Sequence, residues 1–494
     1  MSVADGAGLM SAIVRGGALT FGGSVLGRAA SMAQSIVVAR GLDPHRLGIF
    51  AIVNYVLTLC AAIVDLGVPV AAMKLVAEYR VAQIGGLRRM LGILGLLSVA
   101  LAGGGALLLL AGAGPLSIAY HEPTLAPLFR LAAVLLFLSL IGAFMAGVVQ
   151  GLRRIDTLAA LTPVKALVAL GATLVLLPAL GLPGVILASM LAELAAWPMM
   201  AGPVRRALAA ASPSAHDGAP AGVIVARALT LSVPVVLNGL VAWGGAWFIR
   251  SYLARAAGYE AVGYFHVADA CARLLLLLPS ALAVPLVPAV SESSAIGRAT
   301  TRSMVEDTLR LTLFAVAPAG VFLCLAAEPV LALVYGSSYV GAAGLASMLA
   351  LAAAGQAIGV IVWSTLVGTG RTWAGFAVQA GGQLVAIMLT MLLVPRHGLA
   401  GAGVAALAAS LVAAAVGVGI VRAQFGARLA ALGGLLTVAL SGATVAIALW
   451  TAGVSGWLEA AVVAAGMVML QLRRLTPGER RWLANRLQLR TTKE

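Results

Sequence analysis

The sequence predicts an all-α polytopic membrane protein with about fourteen transmembrane helices. Three observations predict it. Hydrophobic residues make up 62% of the 494 positions and charged residues 10%, for a mean hydropathy of +1.05. The apolar residues fall in runs of about 20, the length that crosses a hydrocarbon core about 30 Å thick. The connections are short and leave no room for a soluble catalytic domain. Function must therefore reside in polar groups between helices.

In order, the expected spans are 12–38, 47–72, 90–112, 126–149, 157–178, 184–203, 228–249, 262–290, 306–327, 343–366, 374–394, 402–421, 429–450 and 455–472. The cations between them fix an orientation. Lys74, Arg80, Arg88 and Arg89 share one loop, and Arg153 and Arg154 the loop two later. Arg205, Arg206 and Arg227 follow, then Arg298, Arg302 and Arg310, then Arg371, then Arg422 and Arg428, and the tail adds seven more from Arg473 to Lys493. All fall on one side. The other side holds only Arg40, Arg46, Arg250, Arg255 and Arg396. Basic loops stay in the cytoplasm, so both termini are expected there.

The formal charge of +15 therefore marks membrane orientation. A nucleic-acid binder would gather its cations on one water-exposed face. Cys60, Cys271 and Cys324 all fall in apolar runs and are expected to act as small buried hydrophobes, with no disulfide framework or metal site. The first apolar run is long and continues into the polytopic pattern, so it is expected to be retained as a span. No phosphate-binding loop, HExxH zinc signature or GxSxG elbow occurs.

The chain repeats itself at an offset near 215 residues. Ala39-Arg40 through Arg46-Leu47-Gly48-Ile49-Phe50 lies over Ala254-Arg255 through Ala261-Val262-Gly263-Tyr264-Phe265. Gly151 to Arg154 matches Gly368 to Arg371, and Gly181-Leu182-Pro183-Gly184 matches Gly398-Leu399-Ala400-Gly401. Each repeat would hold an even number of spans, so the two have parallel topology, with a cavity between them. The expected organisation is a six-helix lobe at 1–204, a cytoplasmic linker at 205–227, a second six-helix lobe at 228–422, two extra helices at 423–472 and a basic cytoplasmic tail at 473–494. The polar stretch Ser212 to Gly218 joins the lobes. In the tail, Thr476, Pro477 and Glu479 have capping-box spacing ahead of a basic segment with Trp482, Leu483 and Leu487. That segment is either a helix lying on the anionic leaflet or a solvated tail.

Gly48-Ile49-Phe50 through Asp65-Leu66-Gly67 to Ala77-Glu78 resembles the second helix of bacterial polysaccharide repeat-unit (O-antigen-type) flippases. That family shares a superfamily with lipid II flippases and multidrug and toxin extruders. Gly263-Tyr264-Phe265 through Pro285 and Pro288 to Ser291 resembles the eighth helix, and Val334-Tyr335-Gly336 with Tyr339 and Ala342 the start of the tenth. The resemblance runs in order over nearly the whole chain. It implies an exporter of the bacterial cytoplasmic (inner) membrane, working by alternating access without a cofactor. Its cargo would be an oligosaccharide on a polyprenyl diphosphate, surrounded by membrane lipids, with polysaccharide polymerases or glycosyltransferases as partners. It implies no enzyme activity and no catalytic residue.

Ionisable groups at mid-membrane are costly unless they face a cavity or a partner. Arg28 lies about twelve residues from the outer end of the first span and Arg273 about twelve from the outer start of the eighth, so both are roughly 18 Å deep. Two guanidinium groups suit the implied diphosphate, which they can grip bidentately. For Arg273 a local alternative stands, since Asp269 at i−4 is a ready intrahelical partner. Asp269 corresponds to Asn54 in the repeat; Asn54 reads either as a sugar contact or as an interhelical hydrogen bond, and Asp269 either as a coupling group or as a structural one. Lys165 reads as a cation lining the cargo path or as a snorkelling side chain. Glu193, alone in the sixth span, is a coupling candidate or a structural partner. Asn238 is a candidate sugar contact. Asp65, before Gly67 and Pro69, is expected to organise a helix end. Pro279, Pro285 and Pro288 make the eighth span the one most prone to bend.

A multidrug extruder of the same fold is the nearest rival, but it would favour an acidic, aromatic-lined cavity, and aromatics are only 5% here. A lipid II flippase is a further alternative. A membrane polysaccharide polymerase or glycosyltransferase usually needs a large external loop with acid/base residues, and the longest outer loop offers only His121 and Glu122.

Overall fold

The computed structural model describes residues 23, 26–81, 86–210, 220–425, 442–445, 447–449, 453 and 456–473. Among them the regular structure is helical, without a strand. The helices are α1 (26–41), α2 (Pro44–Val64), α3 (Val68–Val81), α4 (Leu87–Ala119), α5 (Leu125–Gly151), α6 (Ile155–Leu180), α7 (Leu182–Ala210) and α8 (Ala221–Leu274). There follow α9 (Leu277–Ile296), α10 (Arg298–Leu325), α11 (Ala327–Val334), a 3-10 turn (Ser337–Ala342), α12 (Ala343–Gly368), α13 (Thr372–Phe425) and α14 (Trp457–Arg473). Among the described residues, nine helices are long and apolar enough to cross a membrane. The linker from Ser212 to Gly218 and the tail motif around Pro477 lie outside the described residues.

Local chemistry sets the helix ends, and several differ from the expected spans. Asp43 caps α2 by accepting a 2.9 Å bond from the Arg46 amide, with Pro44 in the first turn. The expected span 47–72 is interrupted at Asp65. Its carboxylate accepts a 2.7 Å bond from the Gly67 amide, and Leu66 and Gly67 take φ of 43° and 69°. A side chain that bonds its own backbone two residues on displaces the helical ladder, so α2 stops and α3 starts anew. Asp65 thus organises a helix end.

The third span, expected at 90–112, runs on to Ala119 because Leu116 and Ile118 extend the apolar run past Pro115. His121, at φ 54°, then ends it, with the Glu122 amide bonded back to the Ser117 carbonyl at 3.1 Å. The eighth span, expected at 262–290, breaks at Leu275–Leu276. Pro279 has no N–H for the Leu275 carbonyl, and its ring crowds that carbonyl, so the chain turns there through tight bonds to Ala272 and Arg273. Gly258 (φ 85°, ψ 170°) interrupts α8, and Gly398 (φ 54°, ψ −131°) interrupts α13.

Among the described residues, most of the cations counted among loops lie within helices instead, and two of them are buried there. Arg250 is 6% exposed within α8, with its guanidinium 4.3 Å from the Tyr55 ring centre. Arg310 is 8% exposed within α10. Arg250 lies just past its expected span, in a helix that runs on to Leu274, whereas Arg310 falls inside its own expected span.

The chain divides into two compact units, Met1–Arg255 and Ala256–Glu494. In the first, α5 is central and packs against α2, α3, α4 and α7. Its core joins Ala72, Val76, Met90, Leu94 and Val148 with Ile224 and Ala228 of α8. In the second, α12 packs against α9, α10 and α13, and α14 against α10. Its core joins Leu286, Val290, Leu309, Ile361, Leu366 and Val421. Each burial removes apolar side chains from contact with solvent or lipid and fills space at close to crystalline density.

The sequence-matched stretches carry the same local geometry, each within its own unit. A Cβ on Gly151 would stand 2.6 Å from the Met73 carbonyl oxygen and 2.8 Å from Val76 Cβ. A Cβ on Gly368 would stand 2.7 Å from the Val287 carbonyl oxygen and 2.9 Å from Val290 Cβ. Only glycine admits that approach, of α5 to α3 in one unit and of α12 to α9 in the other.

Candidate functional site

The polar groups of the first unit gather where α1, α5, α6 and α7 meet. Glycine draws α1 onto α6: a Cβ on Gly27 would stand 2.7 Å from Thr162 Cγ2 and 3.2 Å from the Pro163 nitrogen. Further along the same interface the Gln34 amide donates to the Thr173 hydroxyl at 3.1 Å. Arg28, the residue after Gly27, is exposed on α1 and has no ion-pair partner among the described residues. On α6, Lys165 lies one turn beyond Thr162. Its ammonium donates to Glu193 Oε1 of α7 at 2.5 Å. The structure thus pairs Lys165, which read as a path-lining cation or a snorkelling side chain, with Glu193, which read as a coupling candidate or a structural partner.

That pair is not fully satisfied. Glu193 Oε2 is buried without a hydrogen-bond partner, and so is Nε1 of Trp197, one turn further along α7. Gly142 of α5 faces both atoms. Sequence reasoning overlooked Trp197 and Gly142. The i, i+4 spacing of Glu193 and Trp197 was the available signal.

Asn54 is exposed on α2, where its carbonyl accepts a 2.8 Å bond from the Thr58 hydroxyl. Asn238, on the part of α8 that belongs to the first unit, has a buried Oδ1 without a partner. At the end of α4, the Tyr120 hydroxyl lies 2.6 Å from the Ser251 hydroxyl and accepts a 2.9 Å bond from the Trp247 indole. The Arg255 guanidinium donates to the Ala119 carbonyl at 3.2 Å. These bonds tie α8 to α4 within the first unit.

In the second unit, Asp269 and Arg273 form the i, i+4 pair that stood as the local alternative. Arg273 Nε and one terminal nitrogen reach Asp269 Oδ2 at 3.1 and 2.9 Å. The Arg273 side chain is 55% exposed and that of Asp269 20%, so the arginine remains reachable from outside the pair. This intrahelical pair leaves more than half of the arginine side chain uncovered. It orients Arg273 more than it holds it.

Each unit thus presents cations within its helices. Arg28 has no ion-pair partner among the described residues, and Lys165 and Arg273 are each paired with a carboxylate. Such groups suit an anion with several oxygens. The model of the family described as “Polysaccharide biosynthesis protein” matches residues 37–344. The chain belongs to this family.

No curated protein matches the sequence. Solved structures do. One is an inward-facing multidrug-resistance MATE transporter of the MOP superfamily, with a TM-score of 0.73 and 16% identity over 81% of this chain and 94% of that one. Another is the lipid II flippase MurJ in an inward closed conformation, with a TM-score of 0.64 and 15% identity over 92% and 97%. A MOP-superfamily transporter from Pyrococcus furiosus gives a TM-score of 0.63 and 16% identity over 84% and 96%. At these identities the likeness is one of fold. This member of the polysaccharide biosynthesis family is therefore a multi-pass membrane protein with a fold like that of these transporters.

Proposed function

We propose that this protein is a flippase that moves a polyprenyl-diphosphate-linked oligosaccharide from the inner to the outer leaflet by alternating access, for cell-surface polysaccharide assembly. The observation that carries the reading is the family match across residues 37–344 on a chain with a transporter fold. The chemistry of its intramembrane cations supports it. Phosphate oxygens are strong acceptors, and guanidinium binds them two at a time. In the first unit Arg28 is the principal diphosphate contact, with Lys165 adding charge as its carboxylate yields, and Arg273 is the phosphate contact of the second unit. Asn54 and Asn238 present amides to sugar hydroxyls. Asp269 and Glu193 are the coupling groups. The protein works in the bacterial inner membrane with both termini in the cytoplasm, and its partners are the glycosyltransferases that build the cargo and the polymerase that consumes it.

A vesicle assay tests the proposal. Purified protein in liposomes should carry a fluorescent polyprenyl-diphosphate glycan across the bilayer, and polyprenyl alcohol should not compete. Transport of cationic drugs with no transport of the glycolipid would sink it.

A further inference from the structure

Beside the Lys165–Glu193 pair the structure leaves two buried polar atoms unsatisfied. The Lys165 side chain is 36% exposed and that of Glu193 13%. The Lys165 side chain is therefore partly accessible, while that of Glu193 is largely enclosed. Glu193 Oε2 and Trp197 Nε1 are both buried and both lack a partner. A Cβ on Gly142 would stand 2.9 Å from the first and 3.6 Å from the second, so both atoms border one small space that glycine leaves open. A buried acceptor and a buried donor beside the same gap, each unsatisfied, are an arrangement that folded proteins normally avoid.

We propose that Glu193 is an exchangeable counter-ion: a phosphate of the cargo takes Lys165 from it, and the Trp197 indole N–H receives the released carboxylate. The exchange rests on the phosphate-lipid reading above. The residue types fit it. An ammonium is a compact charge with three rotatable donors, so it trades one oxyanion for another without the geometric matching a guanidinium requires. A carboxylate released inside a membrane needs a donor at hand, and Trp197 supplies one a single helical turn away. When the cargo leaves, Glu193 returns and neutralises Lys165. The pair therefore limits how tightly the anion is held and speeds its departure, because tighter holding is expressed mainly as slower dissociation.

The test is equilibrium and stopped-flow binding of polyprenyl diphosphate without a glycan to the full chain in nanodiscs, with polyprenyl alcohol as the control probe. Glu193→Gln should bind the diphosphate roughly fivefold more tightly and release it more slowly. Glu193→Asp, whose reach to Lys165 is one methylene shorter, should shift affinity the same way and serves if the first variant fails to fold. Trp197→Phe should weaken binding roughly threefold in the otherwise unaltered chain. Added to the Glu193→Gln variant it should change binding by less than about twofold, since the coupling exists only while a carboxylate must be received. Unchanged or weaker binding by the Glu193 variants, or an equal Trp197→Phe effect in both backgrounds, would overturn the exchange and leave the diphosphate reading intact. No specific binding by the unaltered chain would remove that reading, and the exchange with it.

Discussion

Gly181 and Gly398 share one backbone conformation, φ 63°, ψ −136° in the first unit and φ 54°, ψ −131° in the second. Each sits at a matched point of the repeated sequence and reverses the chain between two membrane-length helices. No atom lies within 4 Å of a Cβ built at either, so the cost of a side chain there is backbone strain alone. Gly181→Ala and Gly398→Ala should each lower stability by about 1–3 kcal/mol. Melting in detergent should give matching losses. A loss at one site and none at the other would break the equivalence.

Arg28 carries the sharpest transport prediction. Arg28→Ala should abolish glycolipid transport while the protein inserts and melts normally, because the side chain has no ion-pair partner among the described residues. Arg28→Lys should restore only part of the rate, since an ammonium supplies charge without the planar fork. Full transport by the Arg28→Ala, Arg273→Ala double variant would rule out both phosphate contacts.

The Asp269–Arg273 pair separates orientation from ligand binding. Exchanging the two residues keeps an i, i+4 ion pair of opposite polarity, at a stability difference of about 0.5 kcal/mol or less. The swapped protein should fold, yet transport as poorly as Arg273→Ala. Retained transport would confine the pair to a structural role.

Tyr120 bonds Ser251 and Trp247 at once. Tyr120→Phe removes the hydroxyl that serves both and should cost about 1–3 kcal/mol, because buried partners are left unsatisfied. Thermal melts of the full chain measure this. Ser251→Ala should cost less, since the Trp247–Tyr120 bond survives it.

Orientation can be read by labelling single cysteines in cells. Introduced at Ala215, a cysteine should resist an impermeant reagent added from outside. One at His121, where α4 ends and the side chain is exposed, should react. The reverse pattern would invert the topology.

The sequence by itself determined that the chain is an all-α membrane protein, because twenty apolar residues in a row have few other places to go. It also singled out matched glycines, since Gly151 with Gly368 and Gly181 with Gly398 meet backbone demands that only glycine satisfies. The Asp269–Arg273 pair was legible because four residues on one helix fix a distance. Tertiary structure alone decided the partner of Lys165. Twenty-eight residues separate it from Glu193, and which face of α7 meets α6 depends on packing that hydropathy does not encode. The same holds for Arg250 over Tyr55 and for the unsatisfied atoms beside Gly142. Hydrophobicity places the helices in the bilayer but does not choose their neighbours, whereas the steric fit of side chains selects which residues touch.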